Sequence, residues 1–364
     1  MINADRRFLP GFDWLLFLAI VILACAGVAA IWSTTDGTSL NSYFGKQVIY
    51  VCCGLVVFAA LLYFDYHFLS DFITFIYLAG IAVLGLVLIM GTSIHSNKSW
   101  IDIGIFSFQP SELMKILVII ALAKYYSELD QEYLGLREFL IGGLIVFVPV
   151  LMVIFQGDLG TAVTFFPIYA VLTCLAGIRR KHLISLIIIA MVAAPLAWFL
   201  LRGHQKGRFE TVLNPGSDPR RSGYQTIQSE IAIGSGKFLG KGFKQGSQGH
   251  LGFLPARHTD FVFAVLSEEK GFVGSISILG LFLLISSRLF RTAREAKDKI
   301  GALIVVGVLA LMLFHVVINV GMVVGLLPIA GIPLPFVSAG GSSLITFFAA
   351  MSICMGIRMR RYVN

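Results

Sequence analysis

The chain has 364 residues, 57% of them hydrophobic and only 13% charged, and its 28 Lys and Arg against 20 Asp and Glu leave a formal net charge of +8. Apolar residues recur in runs of roughly 18 to 25, the length that crosses a ~30 Å hydrocarbon core, which excludes a water-soluble globular domain. Each run must be helical, because lipid offers no partner to backbone N–H and C=O groups.

Ten spans are predicted, near residues 13–34, 46–64, 72–91, 112–128, 138–155, 160–178, 183–201, 265–287, 302–326 and 338–357. The first is too long for a cleavable leader and lacks a small-residue cleavage site, so it is expected to stay as a helix. Lys and Arg in short loops set orientation. Arg6 and Arg7 precede the first span; Arg179, Arg180 and Lys181 follow the sixth; Arg288, Arg291, Arg294, Lys297 and Lys299 follow the eighth; Arg358, Arg360 and Arg361 close the chain. All four clusters then share one side, expected to be cytoplasmic together with both termini. The expected architecture is an all-α integral membrane protein, a single polytopic domain over 1–364 with ten transmembrane helices and a large extracytoplasmic loop, about 202–260, between helices 7 and 8.

Ionisable groups at membrane depth are expensive and are functional or paired, so the charged positions at span ends carry the most information. In SWIDIGIFSFQPSELMKI, residues 99–116, Pro110, Ser111 and Glu112 form a helix start. Glu112 and Lys115 are three apart, on one face, and able to pair; a structural ion pair and a substrate-site role are compatible. In FQGDLGTA, residues 155–162, Asp158 reads either as a turn and helix cap or as an acid of an outer site.

The long loop carries nine Lys or Arg against four Asp or Glu. It is either a solvated segment whose charge is incidental or a basic surface for an anionic partner such as a phosphate. Its core alternates Gly234, Gly236, Gly240, Gly242, Gly246 and Gly249 with Lys237, Lys241 and Lys244, a composition that lets amides and ammonium groups approach a phosphate. The spacing fits neither a P-loop nor a dinucleotide fingerprint.

LPARHTDFVFAVLSEEKGF, residues 254–272, puts Asp260 where a polar loop meets an apolar run. It reads as a helix cap or as a partly desolvated general base tuned by Arg257 and His258. Glu268 and Glu269 lie two turns further in, next to Lys270 and Gly271, where they could pair locally and where an interrupted or re-entrant element is expected. LLPIAGIPLPFVSAGGSSL, residues 326–344, is uncharged and rich in Pro and Gly, and irregular backbone at such depth is expected to wall a cavity. His315 and Asn319, four apart, are expected to form interhelical hydrogen bonds. The five cysteines all lie in apolar spans and read as small buried hydrophobes; no zinc spacing or internal repeat is present.

Taken together, FQPSELMKI, QGDLGTA, GYQTIQSEIAIGSG, LPARHTDFVFAVLSEEKGFVG and GIPLPFVSAGGSS, in this order, resemble the SEDS family of bacterial cell-wall proteins (shape, elongation, division and sporulation) over essentially the whole chain. Short termini, residues 244–248 and residues 156–158 resemble its elongation branch more than its division branch. The resemblance implies a peptidoglycan glycosyltransferase of the cytoplasmic (inner) membrane that polymerises lipid II at the outer face, in complex with a class B penicillin-binding protein. It implies that Asp260, the carboxylate of the His-Thr-Asp-Phe motif, is the essential catalytic residue and that Glu112 and Lys115 are a polar pair near the cavity. One departure is Ala339, which stands where the family pattern has tyrosine, so no role of that ring carries over.

Polymerisation would require a base for an acceptor hydroxyl, assigned to Asp260, and cations for the leaving pyrophosphate, drawn from Arg208, Lys237, Lys241 and Arg257 with a divalent ion, Mg²⁺ or Mn²⁺, as a further candidate. Asp158, His258 and Ser338 join Glu112 and Lys115 as substrate-binding candidates. The rival readings are a flippase for the same lipid precursor, which broken helices and intramembrane charges also suit, and a scaffold for the penicillin-binding protein.

Overall fold

The computed structural model describes residues 11–35, 39, 42–94, 97–103, 106–129, 131, 133–178, 184, 203–213, 216, 222–250 and 252–362. Nearly all of the predicted span 183–201 and the cations Arg6, Arg7, Arg179, Arg180 and Lys181 lie outside the described residues. In chain order the helices are α1 (Trp14–Thr34), α2 (Tyr43–Leu62), α3 (Tyr66–Asp71), α4 (Ile73–Met90), α5 (Pro110–Ser127), α6 (Leu136–Phe155), α7 (Leu159–Val163) and α8 (Phe165–Leu175). They continue as α9 (Gly203–Leu213), α10 (Ser222–Ser235), α11 (Ser247–His250), α12 (Val262–Arg294), α13 (Lys299–Val323) and α14 (Gly341–Met359).

Seven of these, α1, α2, α4, α6, α12, α13 and α14, are long and apolar enough to cross a membrane. The fourth predicted span, α5, carries Glu112, Lys115 and Lys124 along its 18 residues, and the sixth is the shorter apolar run Leu159–Leu175. Helix starts follow from capping side chains: Asp13, Ser42 and Asp298 accept from the backbone N–H of Leu16, Gly45 and Gly301, which satisfies donors that the first turn leaves open.

A small sheet interrupts the helical fold where only a loop was expected. Strands β1 (Thr92–Ile94), β2 (Asn97–Ile103) and β3 (Phe106–Phe108) form an antiparallel meander in that order, with Ile101 opposite Phe108 and Ile103 opposite Phe106. The two outer strands, three residues each, are too short for alternation to stand out in the sequence. Pairing nevertheless satisfies the backbone of a segment that enters the membrane boundary. The sheet delivers the chain to Pro110, the first residue of α5.

The least apolar of the seven helices, α14, is the most enclosed. It packs against α2, α5, α12 and α13, and Ser352 Oγ donates to the Phe58 carbonyl at 2.6 Å. Lipid tails are as apolar as leucine, so close packing and interhelical hydrogen bonds, not hydropathy, decide which helix sits at the centre.

Helix α12 runs 33 residues, longer than the predicted 265–287, and is broken at Gly271, whose φ of 65° and ψ of −159° are non-helical. A side chain there would be doubly excluded, because a Cβ would lie 2.3 Å from the Gly240 nitrogen. The expected interruption is thus present, at Gly271, and the half-helix before it is buried from Val262 to Glu269.

The far end of α12 carries the cations that orientation was read from. Arg288 and Arg358 pair with the buried Asp13 at 2.8 and 3.3 Å, Arg361 and Arg358 reach Glu295, and Arg360 lies 3.7 Å from Asp65. These pairs join α1, α12 and the end of α14 at the opposite end of the bundle from Asp260. Asp13→Ala leaves the enclosed Arg358 guanidinium with only the more distant Glu295 carboxylate, and removing one partner of a buried pair costs up to roughly 3–5 kcal/mol. The expected outcome is a lowered unfolding midpoint in detergent, while Arg291→Ala, which breaks a pair on the exposed helix surface, shifts it by far less.

Candidate active site

Residues 254–261 make tight turns before α12, with the Thr259, Asp260 and Phe261 amides all directed at the Ala256 carbonyl. Three consecutive carbonyls of this segment are then held from outside. The His258 oxygen accepts from the Ala339 N–H at 2.8 Å, the Thr259 oxygen from Ser338 Oγ at 2.6 Å, and the Asp260 oxygen from Asn319 Nδ2 at 3.1 Å. Ser338 Oγ also accepts from the Leu334 N–H at 2.9 Å, and Asn319 Nδ2 donates to Ile332 at 2.8 Å. The segment 332–339 therefore lies along 258–260 and walls it, as its irregular composition suggested. The cap position of α12 is Phe261, with no side-chain capping bond. Asp260 itself is half-buried at the bundle end.

Beneath this clamp lies the charged pair. Lys115 Nζ is 2.8 Å from Glu112 Oε1, with both side chains almost fully enclosed, and 3.4 Å from His315 Nε2. His315 Nδ1 faces the Pro333 carbonyl at 3.0 Å. A carbonyl can only accept, so Nδ1 carries the proton and Nε2 offers its lone pair to the ammonium. His315 and Asn319, one turn apart on α13, thus fasten both the ion pair and the Asp260 clamp to the same segment. Glu112 Oε2 and Ser111 Oγ are buried without a hydrogen-bond partner.

Asp158 caps α7, accepting from Thr161 N–H at 3.1 Å and Thr161 Oγ1 at 2.8 Å. It also accepts from Gln109 Nε2 at 2.6 Å, which ties the entry of α5 to the 156–158 turn. Ser342 Oγ binds the same entry, accepting from Gln109 N–H and donating to the Ser107 carbonyl. Arg208, on α9, donates to the Ile329 carbonyl at 3.0 Å, and so reaches the walling segment. Arg257 donates to the Gly249 carbonyl at 2.8 Å.

The basic glycine-rich loop packs against α12. Lys241 Nζ is 2.7 Å from the wholly enclosed Glu268, which also accepts from Ser247 Oγ and from the Gln248 and Gly249 amides. The Lys241 and Gly242 amides donate to the carbonyls of Glu268 and Glu269. Gly240 lies so close to the kinked helix that a Cβ would be 2.1 Å from the Glu269 oxygen. These glycines permit close packing on α12, and Lys241 neutralises a buried carboxylate. Lys237 is exposed and adopts a positive φ of 49°.

Sequence reasoning missed Gln47, Thr34 and Tyr43. Gln47 is buried and donates to the Ser338 carbonyl at 3.3 Å; a lone amide in an apolar span was the available signal. Thr34 Oγ1 meets His258 Nδ1 at 3.0 Å, and Tyr43 stacks on the His258 ring with centroids 4.6 Å apart and planes at 22°. Arg257 Nε approaches the other ring nitrogen at 3.5 Å, and because a guanidinium only donates, Nε2 is the acceptor. Among the described residues no group of three or more His, Cys, Asp or Glu is placed to hold a metal ion.

Burial, reinforced by the Arg257 charge, pushes the His258 imidazole down to about 4. The unfolded chain, with an ordinary histidine near ~6.5, binds this proton first. The contribution of His258 to folding stability is therefore fully present above pH ~6.5 and is lost as the pH falls through about 4. Comparing unfolding midpoints of wild type and His258→Gln between pH 7.5 and 4.5 should show a smaller acid loss in the variant; equal losses would place the acid sensitivity elsewhere.

A family model described as cell cycle protein, spanning FtsW, RodA and SpoVE, matches residues 8–363. Peptidoglycan glycosyltransferase RodA of Treponema pallidum is 31% identical, with 98% of this chain and 99% of that protein aligned. Peptidoglycan glycosyltransferase MrdB of Escherichia coli is 34% identical, over 96% of this chain and 94% of its own. Among solved structures, a chain from work on structural coordination of polymerization and crosslinking by a peptidoglycan synthase complex superposes with a TM-score of 0.84 at 28% identity, covering 97% of this chain and 99% of that one. The rod shape determining protein RodA of Thermus thermophilus superposes with a TM-score of 0.73 at 26% identity, covering 97% and 98%. The clamped acid, the buried Glu–Lys pair and the walling Pro-Gly segment therefore sit in a chain that belongs to the FtsW, RodA and SpoVE family of cell cycle proteins, the SEDS family.

Proposed function

We propose that this chain is a peptidoglycan glycosyltransferase of the elongation type, polymerising glycan strands from lipid II at the membrane. The observation that carries the reading is the rigid presentation of Asp260 at the end of a membrane-spanning bundle, its backbone held by Asn319 and its neighbours by Ser338 and Ala339.

The acceptor sugar hydroxyl attacks the anomeric carbon of the donor. A C–O bond forms there as the bond to the pyrophosphate oxygen breaks, and the polyprenyl pyrophosphate leaves with the electron pair. Asp260 takes the hydroxyl proton, and a positioned base of this kind contributes ~10²–10⁴-fold. Arg257, Arg208 and Lys237 are the cations for the leaving group. Lys241 acts one step removed, by holding the loop on Glu268, and Asp158 by fixing Gln109. Glu112 and Lys115 supply a polar floor, with Glu112 Oε2 as an acceptor for substrate or water. His258 and Ser338 serve by shaping the Asp260 turn. Any divalent ion accompanies the pyrophosphate of the substrate, and no step here runs through it.

With α5, Leu159–Leu175 and residues 183–201 added to the seven apolar helices, the chain crosses ten times. Both termini are then cytoplasmic, and Asp260 faces outward with the segment 202–260. The cations gathered at the far end of α12 support this orientation. The partner is a class B penicillin-binding protein that crosslinks the product, a reading supported by the likeness to a chain from a synthase complex that polymerises and crosslinks.

Purified protein with its cognate class B partner and labelled lipid II in detergent should yield glycan polymer on a gel. Asp260→Asn, at matched folding, should fall by at least ~100-fold. Detergent abolishes the two membrane sides, so transport contributes nothing to the readout. No polymer from wild type, with substrate and partner shown competent, would reject the polymerase in favour of a lipid II flippase.

A further inference from the structure

Tyr43 opens α2, and the backbone there is fixed by Ser42, whose hydroxyl accepts from the Gly45 N–H at 3.1 Å. One face of its ring is covered by the His258 imidazole, 4.6 Å away and near parallel. The residue is still 55% exposed. A ring with one face occupied and more than half its surface free presents the other face outward. That face is firmly placed, because His258 is held through its carbonyl by Ala339, through Nδ1 by Thr34 and through Nε2 by Arg257. It lies beside the Asp260 turn, since His258 is two residues from the carboxylate.

The neighbouring outer aromatics differ in a telling way. Trp32 packs on Phe44 and Phe243 with centroids 6.0 and 5.4 Å apart, and Lys244 sits 4.7 Å over the Trp32 ring. Lys270 lies 5.6 Å over Phe243. These faces are taken by ammonium groups, as befits residues anchored at a lipid boundary. The partner of Tyr43 is instead an imidazole whose burial keeps it uncharged at neutral pH, so the platform is flat, neutral and open.

A pyranose offers one face of C–H bonds and a rim of hydroxyl and amide groups. It therefore stacks on an aromatic face while its rim meets polar side chains. We propose that the outward face of Tyr43, backed by His258, is a carbohydrate-stacking subsite that seats an amino-sugar ring of the substrate beside Asp260. This rests on the polymerase reading and adds to it the surface that orients the saccharide, distinct from the groups that handle the pyrophosphate and the polyprenyl tail.

Binding of fluorescent lipid II and of polyprenyl pyrophosphate, which has the same tail and phosphates but no sugar, separates these contributions. Both are measured by titration on the full chain carrying Asp260→Asn, where no turnover intervenes. Tyr43→Ala should weaken lipid II roughly three- to tenfold, the range of one aromatic contact, and leave polyprenyl pyrophosphate within twofold, which also reports a folded protein. Tyr43→Phe, which keeps the ring, should recover most of the lost affinity. In the active chain Tyr43→Ala should raise KM more than it lowers kcat. Equal weakening of both ligands, or unchanged lipid II binding as for a membrane anchor alone, overturns the subsite. Absence of polymer from the wild-type chain overturns the polymerase and leaves these affinities readable.

Discussion

Three consecutive carbonyl oxygens, those of His258, Thr259 and Asp260, are each taken by a hydrogen bond from a different donor, Ala339 N–H, Ser338 Oγ and Asn319 Nδ2. A loop that meets the membrane boundary would otherwise expose these acceptors or bury them unpaired, at a cost of kilocalories each. Two of the donors come from the irregular segment 332–339, and the third, Asn319 on α13, also donates to that segment at Ile332, so one exchange satisfies polar groups of both stretches. The carboxylate of Asp260 inherits its position from this exchange. A catalytic side chain needs placement within fractions of an ångström, and the role proposed for Asp260 draws on one backbone donor, Ala339 N–H, and two buried side-chain donors, Ser338 and Asn319, that hold the turn.

The buried charges follow the same economy of partners. Lys115 is enclosed with Glu112 on one side and the His315 lone pair on the other, so an ammonium at membrane depth keeps two acceptors. Glu268, equally enclosed, is met by Lys241, Ser247 and two amides. The kink at Gly271 lets the 236–250 loop lie against α12 closely enough to deliver those donors. The basic loop thus stabilises the half-helix that follows Asp260, and the cations left for substrate are fewer than its composition implied.

Composition and run length revealed most of the membrane architecture, because lipid imposes one requirement on every spanning residue and a simple periodicity is unnecessary to see it. Glu112–Lys115 was legible from helical spacing alone. The interruption near Glu269 was legible because carboxylates cannot continue into lipid unpaired. What was hidden depends on contacts distant in sequence. Nothing local in SAGGSS shows that Ala339 binds the His258 carbonyl, and Tyr43 in the sequence is one aromatic among many at an interface. The β1–β3 meander escaped notice because two of its strands have only three residues and the third, NKSWIDI, has a polar start that hides its alternation. The alternation of glycine and lysine invited a phosphate reading; it did not reveal that Gly236, Gly240, Gly246 and Gly249 pack against α12.

The central claim is that the carbonyl clamp positions Asp260 for chemistry. The most direct measurement is the polymerisation rate at saturating lipid II for Asn319→Ala, Ser338→Ala and the double variant, each with its KM. If both donors hold one segment, each single change lowers kcat by about tenfold or more with little change in KM, and the double is little worse than the poorer single, because contacts in one network are not additive. Unchanged kcat in both singles would contradict the account, and Asp260 would then owe its position to something other than the segment that lies along it.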